Sequence, residues 1–91
     1  MIRSFRHKRL RRLYEKGDHR GVSPEIVPKL RVILADLDAA DAPQDLARPG
    51  YGLHPLKGDL KGFWSVKVTG NWRVIFRFDE APRDVDLVDY H

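Results

Sequence analysis

Hydrophobic residues recur along this chain with one spacing in its first half and another in its second. Between Phe5 and Leu37 they return every three or four positions, as on one face of a helix. Phe5, Leu10, Leu13 and Tyr14 predict a first helix, capped by Ser4, running to about Lys16 and stopped by Gly17. Its apolar stripe is narrow, and most of the remaining surface is basic. Ile2 to Phe5 reads either as a short first strand or as a lead-in. Ser23-Pro24-Glu25-Ile26 opens a second helix, with serine at the N-cap and proline at the first helical position. Ile26, Val27, Leu30, Ile33, Leu34 and Leu37 then hold helical spacing. Pro28 falls early enough to be tolerated, because first-turn amides have no intrahelical partner. Asp41 to Gly52, with Pro43, Pro49, Gly50 and Gly52, predicts a connecting loop.

After this loop the period falls to two. Phe63 to Thr69 alternates, and so does Trp72 to Phe78, with Gly70-Asn71 between them as a type II′ hairpin turn. Leu53 to Leu56 predicts a short edge strand, since Pro55 removes a ladder donor. Val85 to Tyr90 predicts the last strand. The sum is an α+β architecture: two N-terminal helices packed on a twisted, mainly antiparallel sheet of about four strands. Residues 1–91 suffice for a single domain. Register within the hairpin stays open. A two-residue turn alone puts Arg73 on the face of Trp64, Val66 and Val68, and a bulge reverses that.

Composition narrows the function classes. The chain has no cysteine, which excludes disulfides and thiolate metal sites. No apolar run approaches the length of a membrane span, and no signal-peptide core follows the basic start, so a soluble cytoplasmic protein is expected. Residues 1–31 hold ten Lys/Arg against three acids, whereas from Asp79 onward five acids face only Arg83. A basic surface built from Arg6, Lys8, Arg9, Arg11, Arg12, Lys16 and Arg20 suits a polyanion, most commonly nucleic acid, although a solvated arginine-rich helix face has the same composition. The acidic end would repel that polyanion and needs its own explanation.

The candidate chemistry comprises His54 and Lys57, Arg73, and the tripeptide Asp89-Tyr90-His91. Singly, each has an ordinary reading: a surface histidine, a loop lysine, an outward strand arginine, a frayed end. Topology raises their weight. In a meander Arg73 and the tripeptide can share one sheet face, with His54 entering from the opposite edge. Such a group suits metal-free RNA cleavage through the ribose 2′-OH. Two histidines can divide the proton transfers, cations can stabilise charge on the phosphate, and a tyrosine ring can stack an unpaired base.

These residues also carry a family resemblance. The chain resembles HigB-type toxins of bacterial toxin–antitoxin modules, within the RelE/ParE superfamily. The matching segments are the opening Met1 to Lys8, Leu13 to Gly17, Leu53-His54-Pro55-Leu56-Lys57-Gly58, Gly62 to Val66, Asn71 to Phe76 and the terminal Asp89-Tyr90-His91. The resemblance implies a ribosome-dependent mRNA endoribonuclease, held inactive by a helical, DNA-binding antitoxin and needing no metal or cofactor. It implies catalytic roles for His54, Asp89, Tyr90 and His91, with Lys57 and Arg73 acting on the phosphate. The 79–84 loop departs from the pattern through Pro82 and additional acids. Two other readings compete. A ParE-like inhibitor would poison DNA gyrase by binding alone, but it would have no use for His54 with Asp89 and His91. A metal site built on His54, Asp89 and His91 would set a divalent cation against Lys57 and Arg73.

Overall fold

The computed structural model describes residues 1–90, and His91 lies outside the described residues. Two α-helices, α1 (Lys8–Lys16) and α2 (Val27–Ala39), precede four strands: β1 (His54–Pro55), β2 (Phe63–Thr69), β3 (Trp72–Phe78) and β4 (Pro82–Asp89). The strands pair antiparallel in the order β1-β2-β3-β4. The helices cover one face. Leu10 and Leu13 of α1, and Leu30, Ile33, Leu34 and Leu37 of α2, share a buried cluster with Val66, Val68, Val74, Phe76, Val85 and Leu87 of the sheet. Each fully buried Leu or Phe among them is worth about 1.5–3 kcal/mol of transfer free energy.

Helix α1 starts later than Ser4. His7 is its N-cap, its Nδ1 accepting from the Leu10 amide at 3.1 Å. The Ser4 hydroxyl instead accepts the amide of Asp84, 2.9 Å away and eighty residues on in sequence. The N-terminal segment runs parallel to β4 and bridges Phe5 to Val85, with Arg3 and Arg6 donating their amides to Pro82 and Val85. It thus pairs with the outer strand of the sheet, where free amides would otherwise invite another chain. At its other end α1 stops as expected: Gly17 takes a left-handed conformation, and its amide and that of Asp18 close on the carbonyls of Leu13 and Arg12.

The second helical segment begins with a 3₁₀ turn, Pro24–Ile26, with Ser23 at its N-cap position and Pro24 first as expected. The serine side chain makes no capping hydrogen bond, and α2 itself follows Ile26. The serine hydroxyl bonds the carboxylate of Glu25. The 41–52 connection holds a 3₁₀ turn, Pro43–Leu46, and buries Leu46 and Tyr51. Strand β1 is only two residues long, and β4 begins at Pro82, three residues before the expected Val85.

Candidate active site

The sheet face turned away from the helices holds the candidate chemistry, and a bulge decides which residues reach it. Gly70-Asn71 is a two-residue turn, with Thr69 opposite Trp72. The register then shifts between Lys67 and Thr69, so that Lys67 stands opposite Arg73. Paired residues share a face, and the extra residue therefore moves Arg73 off the face of Trp64, Val66 and Val68 onto that of Phe63, Ser65 and Lys67. Three cross-strand rows result. His54, Ser65, Ile75 and Asp86 form one, Lys67, Arg73 and Val88 the next, and Phe63, Arg77 and Arg83 the third.

His54 is exposed, and its Nδ1 lies 2.9 Å from the carbonyl oxygen of Gly52. A carbonyl only accepts, so the proton sits on Nδ1 and the neutral ring keeps a lone pair at Nε2 for a substrate proton. Arg73 donates through Nη1 to the carbonyls of Gly70 (2.8 Å) and Trp72 (3.0 Å), which fixes its guanidinium at the hairpin. Nε and Nη2 make no hydrogen bond among the described residues. Lys67, directly opposite and exposed, has no carboxylate partner among them either. Two like charges facing each other across a ladder are destabilising until an anion joins them. Lys57 is exposed at the start of the 3₁₀ turn Gly58–Leu60, just beyond β1.

Of the tripeptide, Asp89 is not presented on this face. Asp89 stands opposite Trp72, whose ring packs on the helix-side core, and so belongs to that side. Tyr90 follows β4, its amide bonded to the Asn71 carbonyl at 2.8 Å and its ring partly exposed. His91 lies outside the described residues. His54 occupies one edge of the sheet and Asp89 and Tyr90 the opposite strand, with β2 and β3 between, as the meander predicted. Among the described residues no group of three His, Asp or Glu side chains is placed to hold a metal ion, and the set of His54, Asp89 and His91 includes a residue not described.

Four residues of this face carry no signal in the sequence. Ser65 is fully buried and its hydroxyl has no hydrogen-bond partner among the described residues. Lys67 opposes Arg73. Phe63 is buried outside the helix-side core, and Arg77 lies over its ring. Alternation alone would have put Phe63, Ser65 and Lys67 on one face, and Arg73 with Arg77 on the other. Only the bulge brings the two sets together.

The basic residues divide. Lys8, Arg9, Arg11, Arg12 and Lys16 are exposed on α1, with Arg11 bonded to Glu15. Arg6 precedes the helix, and its guanidinium lies over Phe63 at 5.5 Å. Arg20 follows the helix and is bonded to Asp18. The acidic end is largely matched: Asp79 pairs with Arg83, Glu80 with Arg3, and Asp84 with both Arg77 and Arg83. Three of its five acids are thus paired within the fold, which answers most of the expected repulsion.

Residues 3–91 match the family described as RelE-like toxin of type II toxin–antitoxin system HigB. The chain is 42% identical over 92 residues, and over the full length of both proteins, to the Endoribonuclease HigB of Proteus vulgaris. It is 38% identical over 93 residues to Toxin HigB-1 of Vibrio cholerae serotype O1, covering 100% of this chain and 98% of that protein. Among solved structures it resembles the YoeB/ParE toxin from Agrobacterium tumefaciens, with a TM-score of 0.52 and 23% identity over 77% of this chain and 78% of that one. That likeness concerns the fold alone. No helix among the described residues is long and apolar enough to cross a membrane.

Proposed function

The chain belongs to the HigB family of RelE-like toxins of type II toxin–antitoxin systems, and from that premise we propose that it is an endoribonuclease that cuts mRNA in the ribosomal decoding site, without a metal, and is held inactive by a cognate antitoxin. The observation that carries the chemistry is the adjacency of two rows. His54 offers an open Nε2, and the neighbouring row sets Lys67 against Arg73 with no carboxylate between them among the described residues. That pair is a seat for the scissile phosphate, and Lys57 adds a third cation near β1.

The reaction follows. A base takes the 2′-OH proton, O2′ attacks the adjacent phosphorus, and the P–O5′ bond breaks. The products are a 2′,3′-cyclic phosphate and a 5′-hydroxyl that receives a proton from the acid. His54 and His91 divide these two transfers, since imidazole exists in both states near neutral pH. Asp89 and Tyr90 support the terminal histidine and the flanking base. Lys57 and Arg73 stabilise the charge that builds on the phosphoryl oxygens. His54 on β1 and Tyr90 just beyond β4 are separated by β2 and β3, so a bound strand must bridge them. A ribosome that holds the mRNA bent and fixed would supply the in-line geometry that this small open face lacks.

The test is cleavage of an mRNA mapped with and without ribosomes, in EDTA. Cutting is expected only in the decoding site, and it should be unaffected by the chelator. His54→Ala and His91→Ala should each lose a factor of about a hundred or more. Lys57→Ala and Arg73→Ala should lose less, because several cations share the phosphate. Efficient cutting of naked RNA, or loss of activity on chelation, would overturn the proposal.

A further inference from the structure

The third row of the open face holds an arrangement that the phosphate chemistry does not use. The Arg77 guanidinium carbon lies 4.4 Å from the centroid of the Phe63 ring, and that of Arg6 lies 5.5 Å from it. Phe63 is only 3% exposed, so the guanidinia and not the ring meet solvent. Arg77 is oriented from three directions. Its guanidinium carbon lies over the Phe63 ring, and the Asp84 carboxylate is 3.7 Å from its Nε. Gly62 lies beside its end: a Cβ on that residue would stand 2.8 Å from Nη1, and its φ of +97° already disfavours any side chain. Exposed ion pairs contribute little stability and ordering a long side chain costs entropy, so stability alone does not account for so many constraints on one half-exposed arginine.

Charge separates this row from the other. Lys67 and Arg73 face each other without a carboxylate among the described residues, as a phosphate seat requires. Arg77 and Arg83 share Asp84, and Arg83 also pairs with Asp79. A guanidinium already paired with a carboxylate is a poorer phosphate ligand than a free one but keeps its flat face as a stacking surface, because unstacked RNA bases lie on arginine planes as they do on aromatic rings. Phe63 and Arg77 sit two residues from Ser65 and Ile75 of the His54 row, roughly 7 Å along the strands.

Building on the nuclease reading above, we infer that Arg77, seated on Phe63 beside Arg6, is a base-stacking subsite for the nucleotide next to the scissile step. Arg77 thereby positions the strand across His54, and its role depends on the plane rather than the charge.

The experiment is a double-mutant cycle on an mRNA held in the ribosome. The parent and Arg77→Lys each cut an intact substrate and two substrates with a single abasic ribose, one on each side of the cleaved step. Lysine keeps the charge and much of the packing but has no plane. The parent should slow about tenfold at one abasic position, the effect of one lost stack. Arg77→Lys should slow about tenfold on intact RNA and lose nothing more at that position. Arg77→Ala should match it, and if that variant fails to fold the lysine variant carries the test. Lysine cutting as well as arginine, or two losses that multiply, would overturn the subsite while leaving the nuclease reading in place. A parent that cuts no ribosome-held RNA would remove both.

Discussion

Two half-buried aspartates on α2 tie together segments far apart in sequence. Asp38 accepts the Tyr14 hydroxyl at 2.5 Å and the Ile2 amide at 3.1 Å, while its carbonyl takes the N-terminal ammonium at 2.7 Å. Asp36 accepts the Tyr51 hydroxyl at 2.6 Å and a guanidinium nitrogen of Arg48 at 3.2 Å. Helix α2 thus holds α1, the N-terminus and the 41–52 connection with two carboxylates. The hydrogen bond to Asp38, followed by burial, pushes Tyr14 up to about 12, and burial, followed by the bond to Asp36, pushes Tyr51 up to about 12. A group whose folded value is raised gives stability that is complete below its unfolded value and is lost as pH rises through the folded one. Resistance to urea should therefore hold up to about pH 10, the ordinary value for tyrosine, and decline between about 10 and 12. Tyr14→Phe and Tyr51→Phe should each flatten part of that decline. A native-state absorbance titration in which every tyrosine ionises near pH 10 would contradict it.

At the scale of elements, periodicity places the helices and strands correctly, and local chemistry places the end of α1 and the central hairpin but misplaces other ends. Leu10 and Leu13, and the run from Leu30 to Leu37, mark helical faces whatever surrounds them. Ser4 reads as an N-cap because serine commonly is one, but its hydroxyl serves the Asp84 amide at the β4 bulge, where Asp84 has a φ of +53°. No local pattern announces a partner eighty residues away. The role passes to His7, a weaker statistical cap. His7→Ala should cost about 1 kcal/mol of folding free energy by urea denaturation, and His7→Asn should restore most of it. No loss on His7→Ala would mean that the capping bond contributes nothing. The bulge at Lys67 to Thr69 was likewise open in the sequence, and it decides the candidate site. His54, Lys57 and Arg73 were legible as residues, but one inserted position determines that Arg73 faces Lys67 and not the core. Arg77 shares the face of Arg73 by alternation alone and ordinarily reads as a solvated strand charge; what the bulge adds is Phe63 against it.

The whole molecule presents two surfaces of different character, and the antitoxin is proposed to take the one that does no chemistry. On α1, Lys8, Arg12 and Lys16 recur every four residues as one exposed stripe and form no close ion pair among the described residues, whereas Arg11 is engaged by Glu15. A partner offering acids to that stripe gains on-rate from long-range attraction, and the same stripe would fasten the toxin to ribosomal RNA by phosphate contacts. One surface cannot serve both at once. Inhibition then needs no contact with His54, which would stay open to solvent in the complex. Replacing Lys8, Arg12 and Lys16 together by Glu should slow association with the antitoxin by about tenfold or more at low salt, and the difference should shrink as salt is raised. The same variant should bind ribosomes more weakly. His54→Ala and Arg73→Ala should bind the antitoxin as tightly as the parent. An affinity indifferent to the charge reversal, or a footprint showing the antitoxin inserted beside His54 and Arg73, would place the partner on the open sheet face and make inhibition a direct block of the site.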